Sequence, residues 1–271
     1  MTQHSKKVLF VLTSNADLGG DGSTGYYINE AAHPWKVLTR AGHQVDFASF
    51  AGGPPPQDGR QPGDQDQEEF LADPRVSIQL ADTPALADVD ADAYDAVLYV
   101  GGHGTMWDFP ASEAVSRLGR DIYENGGVVA AVCHGPAALV NLTLSDGRHL
   151  VDGKRVASFT NAEEEAVGLT GTVPFALADR LSERGADHVP ADNFTENVVV
   201  DGRLVTGQNP QSATGRGGQG TRGHACGPLA GPTSRIELPA RHGVPLRRPV
   251  TPARLRARQR VELTTGPVGV R

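Results

Sequence analysis

The apolar run Val128–Val132 passes without a spacer into Cys133-His134-Gly135-Pro136, and few architectures can hold that junction. A five-residue apolar stretch reads as a strand buried on both faces, the kind found in a parallel sheet. The small residues Ala130, Ala131, Gly135 and Ala137 around the cysteine leave room for a sharp strand-to-helix turn. A helix over Ala137–Leu142 would follow at once, and its N-terminus behind the sulfur would lower the thiol pKa. A buried core cysteine at a strand end would leave the same trace.

Other segments repeat the strand-turn-helix rhythm. Lys6–Ser14 and Gln44–Phe50 read as strands on either side of a helix over Asn29–Ala41 that Gly42 closes. Ala96–Val100 is another strand, and it ends in Gly101-Gly102-His103-Gly104. Ala111–Asn125 has Val115, Leu118 and Ile122 at helical spacing. Residues 52–69 read as a Pro/Gly/acid-rich loop, and Pro84–Ala91 as a short helix. Further on, Val173–Arg184 reads as a helix closed by Gly185, and Asp201-Gly202 as the turn of a hairpin. Strands alternating with helices predict one doubly wound α/β/α sandwich with a mostly parallel sheet and a cysteine nucleophile elbow. The first strand's loop lacks GxGxxG, so no dinucleotide is expected.

Three groups converge on chemistry. Cys133 is the candidate nucleophile and His134 its neighbour in sequence. The glycine turn 101–104 ends an adjacent strand at the sheet's carboxyl edge, where α/β folds bind ligands, and its amides could face an oxyanion together with that of His134. Glu30 and His33 share one helix face, and a carboxyl in a half-apolar pocket could exchange a proton with the thiol; a solvated helix-start acid would look the same. His33, His103 and His134 lack ligand spacing, so no metal is expected.

Net charge sharpens the boundaries. Residues 1–214 hold 14 Lys and Arg against 30 acids, whereas residues 215–271 hold 11 Arg, no Lys and two acids. The second segment also carries 10 Gly and 7 Pro in 57 residues, a composition that does not bury a core. The domain therefore spans 1–213. The 214–271 tail is expected to be disordered or the product of a frameshift near Thr214, since GC-rich DNA read out of frame yields Arg, Gly and Pro. Arginines without aromatic residues make a poor base-stacking platform, so no nucleic-acid partner is expected. No run of 18 apolar residues exists, which argues against a membrane partner. Only two cysteines and no leader-like N-terminus suggest a reducing cytoplasm.

The blocks EAAHPW at 30–35, GGHGTMWDFP at 101–110, GGVVAAVCHGPAAL at 126–139, FTNAEEEAVG at 159–168 and DGRLVTGQNPQSA at 201–213 together resemble the DJ-one/PfpI superfamily. The likeness is to its branch of glutathione-independent glyoxalases (glyoxalase III) and heat-shock chaperones. The resemblance implies a flavodoxin-like fold and cofactor-free conversion of methylglyoxal, a small 2-oxoaldehyde, to lactate. It implies Cys133 as nucleophile, His134 as acid/base, Glu30 as the acid beside the thiol, and Gly102, His103 and Gly104 as the oxyanion and substrate-binding turn. A homodimer is the expected assembly. A holding chaperone, a deglycase or a protease of the same superfamily are the alternatives. An amidotransferase would need a late His and Glu, and His188 and Glu196 do not form that pattern.

Overall fold

The computed structural model describes residues 5–19 and 22–213. The tail 214–271 lies outside the described residues. Six strands form the central sheet: β1 Lys7–Leu12, β2 Gln44–Ser49, β3 Ala96–Tyr99, β4 Val128–Val132, β5 Val198–Asp201 and β6 Leu204–Gly207, in the order β5-β6-β4-β3-β1-β2. Every pairing is parallel except the β5–β6 hairpin. The β2-β1-β3-β4 run is the flavodoxin-like order, which places the switch point between β1 and β3.

The period-2 alternation of side chains explains why the strands are apolar throughout. Leu9 and Val11 of β1 join Val97, Tyr99, Val129 and Leu204 in one core cluster. Val8, Phe10 and Leu12 point the other way and join Leu98, Val132 and Val205 in a second cluster. The short helix α4, Thr105–Asp108, follows the glycine turn, and α5, Glu113–Glu124, covers the first face with Val115, Leu118 and Ile122. The second is covered by α1, Ile28–Arg40, which contributes Ile28, Ala31, Ala32 and Trp35.

Four segments fold differently from their sequence reading. The polar stretch read as a loop over 52–69 runs into α2, Gln65–Ala72, and α3, Pro74–Ala81, follows at once. Asp64 caps the first by accepting from the amides of Asp66 and Gln67, at 2.9 and 3.1 Å. Asp73 caps the second, with Pro74 in the first turn, where its missing N–H costs nothing. Residues 84–91 form only the 3₁₀ turn Leu86–Asp88, with a second such turn at Ala91–Ala93. The helix after the cysteine is likewise a 3₁₀ segment, Gly135–Leu139. The late helix is α7, Leu177–Glu183, shorter than expected and followed by Gly185 at φ 90°.

Candidate active site

Strand β4 delivers Cys133 in a left-handed conformation, φ 59°, which only a firmly held non-glycine residue adopts. The hold comes from both neighbours. The Cys133 amide donates to the Gly207 carbonyl of β6, and the Cys133 carbonyl accepts from the Phe159 amide, both at 2.9 Å. The side chain is 4% exposed.

His134 is completely buried and lies between sulfur and a carboxylate. Its Nδ1 is 3.3 Å from the Cys133 sulfur, and its Nε2 is 2.8 Å from Glu164 Oε2. The other Glu164 oxygen sits 3.0 Å from His103 Nε2. With Nε2–H of each imidazole donating to the carboxylate, Nδ1 of His134 is left as the acceptor of the thiol proton. Burial pushes the His134 pKa down to about 4, with His103 adding to the effect and Glu164 opposing it. Burial would raise Glu164, but the two imidazoles outweigh it and hold its pKa at about 2.

Glu164 rides on α6, Asn161–Ala166, whose start is fixed by a capping box between Thr160 and Glu163. Buried Glu163 also accepts from the Phe194 amide and the Asn209 side chain, both at 2.8 Å. Phe159, just before the cap, lies 4.4 Å from the His134 ring, centroid to centroid. The sequence blocks 159–168 and 208–213 thus act by positioning Glu164 and His134.

Glu30 enters from the opposite side, in the first turn of α1, and is completely buried. Its oxygens make no hydrogen bond of standard geometry, and Oε2 lies against Gly101 on the Cys133 side of the turn. Burial pushes the Glu30 pKa well above the carboxylate range. Burial also pushes the Cys133 thiol up, and the Glu30 charge adds to it. The lowered thiol pKa expected from a helix dipole is therefore not found, because the helix behind the sulfur is one short 3₁₀ segment and the pocket is closed. Burial thus favours the uncharged form of both groups, the thiol and the carboxyl beside it.

The glycine turn has two roles. Gly101 is glycine because a Cβ there would run into Glu30 Oε2 and the Val132 carbonyl and lie 2.9 Å from Cys133 Cβ. Gly101→Ala should cost about 2 kcal/mol in a urea melt, as overpacked cores do. Gly102, at φ 108°, turns the chain beneath Tyr27, whose amide would sit 2.8 Å from an added Cβ. The Gly104 amide is engaged by Thr24 Oγ1 at 3.2 Å, so it does not face the sulfur. His103 enters through its side chain, paired with Glu164, rather than as a backbone donor alone.

Among the described residues, His103, His134 and Glu164 offer ligand atoms within 4.8 Å of one another, a set that could seat a cation. Both carboxylate oxygens already have an imidazole partner. Sequence spacing hid this cluster because Glu164 comes 30 residues after His134.

The DJ-1/PfpI family matches residues 25–215, most of the chain. The chain belongs to the DJ-1/PfpI family. Family relatives include glyoxalase 3 of Candida albicans, 35% identical over 223 residues, covering 76% of this chain and 93% of the relative. The glutathione-independent glyoxalase HSP31 of Saccharomyces cerevisiae is 36% identical over 221 residues, covering 77% and 93%. Among solved structures, the 24 kDa rapid encystment protein of Francisella tularensis superposes with TM-score 0.75 at 39% identity, over 77% of this chain and 94% of that one. Glyoxalase III of Candida albicans gives 0.70 at 31%, over 77% and 92%. Among the described residues, no helix is long and apolar enough to cross a membrane.

Two consequences of the His134 environment are measurable. Its base form persists to about pH 4, so the acid limb of kcat/KM should fall near 4 rather than near 6.5. The unfolded chain takes up that proton first as pH falls from 6.5, so His134 lowers stability progressively towards pH 4. A pH–rate profile and melts at several pH values check both.

Proposed function

We propose that this chain is a glutathione-independent glyoxalase that converts methylglyoxal to lactate, using its own thiol where other systems need a soluble one. The observation that carries the reading is a buried thiol with the imidazole Nδ1 of His134 3.3 Å away and with the buried Glu30 carboxyl, whose protonated form burial favours, on its other side. The names of the two yeast relatives support it.

As sulfur bonds to the aldehyde carbon, its proton passes to His134, and the new alkoxide takes the Glu30 proton, giving a neutral hemithioacetal. Glu30, now a carboxylate, removes the hydrogen from that carbon. The electron pair forms the carbon–carbon double bond, and the neighbouring carbonyl oxygen takes the proton from His134, giving an enediol. Glu30 then protonates the second carbon while His134 accepts the hydroxyl proton from the first, leaving a lactyl thioester. Water adds with its proton going to Glu30, and the departing sulfur takes the proton from His134, so the site returns to its starting state with lactic acid released. No external oxidant is used, because one carbon is oxidised as its neighbour is reduced. The amides of Gly102 and His134 are the proposed donors to each oxyanion.

The test uses purified protein and methylglyoxal with no added thiol, following lactate by proton NMR. Lactate should accumulate in proportion to enzyme; consumption of methylglyoxal without lactate would overturn the reading.

A further inference from the structure

The acid-rich segment 52–69 has no part in the chemistry above, yet it is tied to the residue at the start of α1. Gln57–Asp58 pairs in parallel with Tyr26–Tyr27, and the Tyr26 amide donates to the Pro56 carbonyl at 2.9 Å. Buried Gln67 anchors the loop from behind. It accepts from the Gln61 amide at 2.9 Å, donates to the Gly59 carbonyl at 3.2 Å, and its side-chain amide also bonds Asn29 of α1.

This scaffold holds one side chain, Tyr27. Its ring packs against Gly59, where an added Cβ would be 2.6 Å from Cδ2 and Cζ, and Gly59 is left-handed at φ 71°. The Tyr27 amide donates to the Gly101 carbonyl at 3.0 Å, and Gly101 is the residue that Glu30 and Cys133 also touch. The phenol is half-buried. Burial raises its pKa first, the Glu30 and Cys133 charges add to this, and a hydrogen bond with the Gln61 side chain works the other way.

We propose that Tyr27, seated on Gly59 and tied by its amide to Gly101 beside the thiol, is the substrate-contacting wall that restricts the thiol to small 2-oxoaldehydes. The wall rests on the glyoxalase reading for its natural ligand, but its steric action on Cys133 does not. A ring that cannot retreat into Gly59 limits the group carried by the second carbonyl carbon. Replacing it by a small side chain should open the space that an aromatic substituent needs.

The experiment compares kcat/KM for methylglyoxal and phenylglyoxal in the wild type, Tyr27→Ala, Tyr27→Leu and Tyr27→Phe proteins. Both Ala and Leu should shift the ratio towards phenylglyoxal by about tenfold or more, the size of effect that pocket volume produces. Tyr27→Phe keeps the ring and should keep the wild-type preference. Rates of Cys133 alkylation by iodoacetamide and by N-phenyl iodoacetamide give a readout without turnover, and the ratio should shift in the same direction. An unchanged alkylation ratio in both Ala and Leu proteins would overturn the wall, even if methylglyoxal is not a substrate. A shifted alkylation ratio with no lactate formed would keep the wall and reject the glyoxalase reading. If the Ala protein fails to fold, the Leu protein alone decides.

Discussion

Glu30→Gln should lower kcat for methylglyoxal by about 10²–10⁴-fold, the usual worth of a positioned general acid/base. KM should change little. The glutamine is nearly the same size, so the pocket against Gly101 stays filled, but it can neither give up the proton that quenches the alkoxide nor take the one on carbon. The fold has no reason to suffer. Glu30 is completely buried without a hydrogen bond of standard geometry, and a neutral amide is no harder to desolvate than a carboxyl that can ionise. A thermal midpoint at or above that of the wild type, together with the lost turnover, would separate chemistry from stability. Retention of more than about a tenth of wild-type kcat would show that the hydrogen moves by another route.

Glu164→Gln should cost about 10²–10³-fold in kcat/KM through a different cause, the tautomer of His134. Each carboxylate oxygen accepts from one imidazole, at 2.8 Å for His134 and 3.0 Å for His103. An amide keeps one acceptor and presents an N–H₂ group to the other ring. If that ring is His134, its proton moves to Nδ1 and points at the sulfur, which then has no acceptor. If it is His103, the pair reorganises and the ring 4.0 Å away moves with it. Removing the anion also takes away the interaction that raises the His134 pKa, so residual activity should show a still lower acid limb. A Glu164→Gln enzyme with wild-type kcat/KM would mean that His134 needs no orienting partner.

Much of this site is legible in the linear sequence because backbone geometry carries it. The junction of Val128–Val132 with Cys133, the glycines at 101 and 102, and Glu30 one turn into α1 each need specific residue types at specific places, and those leave a local trace. Glu164 leaves a weaker one. Three acids stand in a row at 163–165, and composition does not say which faces inward. The Thr160-x-x-Glu163 capping box does, because it fixes the first turn of α6 and so the direction of the next side chain. Helix α2 is hidden by its polarity and α3 by its alternation of apolar and polar residues, although Asp64 and the Asp73-Pro74 pair are recognisable caps. The thiol pKa runs opposite to the helix-dipole expectation for an energetic reason. A short 3₁₀ turn offers a weak dipole, and desolvation beside a carboxyl acts more strongly and in the opposite direction. The Gly104 amide is lost to Thr24, 80 residues away, a contact that no local pattern records.

The central claim is that the Cys133 sulfur forms the bond that starts the reaction. The most direct measurement is lactate formation from methylglyoxal, without added thiol, by wild-type and Cys133→Ala protein side by side. The wild type should turn over, and Cys133→Ala should give no lactate above the protein-free control while keeping its fold by circular dichroism. Equal lactate from both proteins would contradict the account.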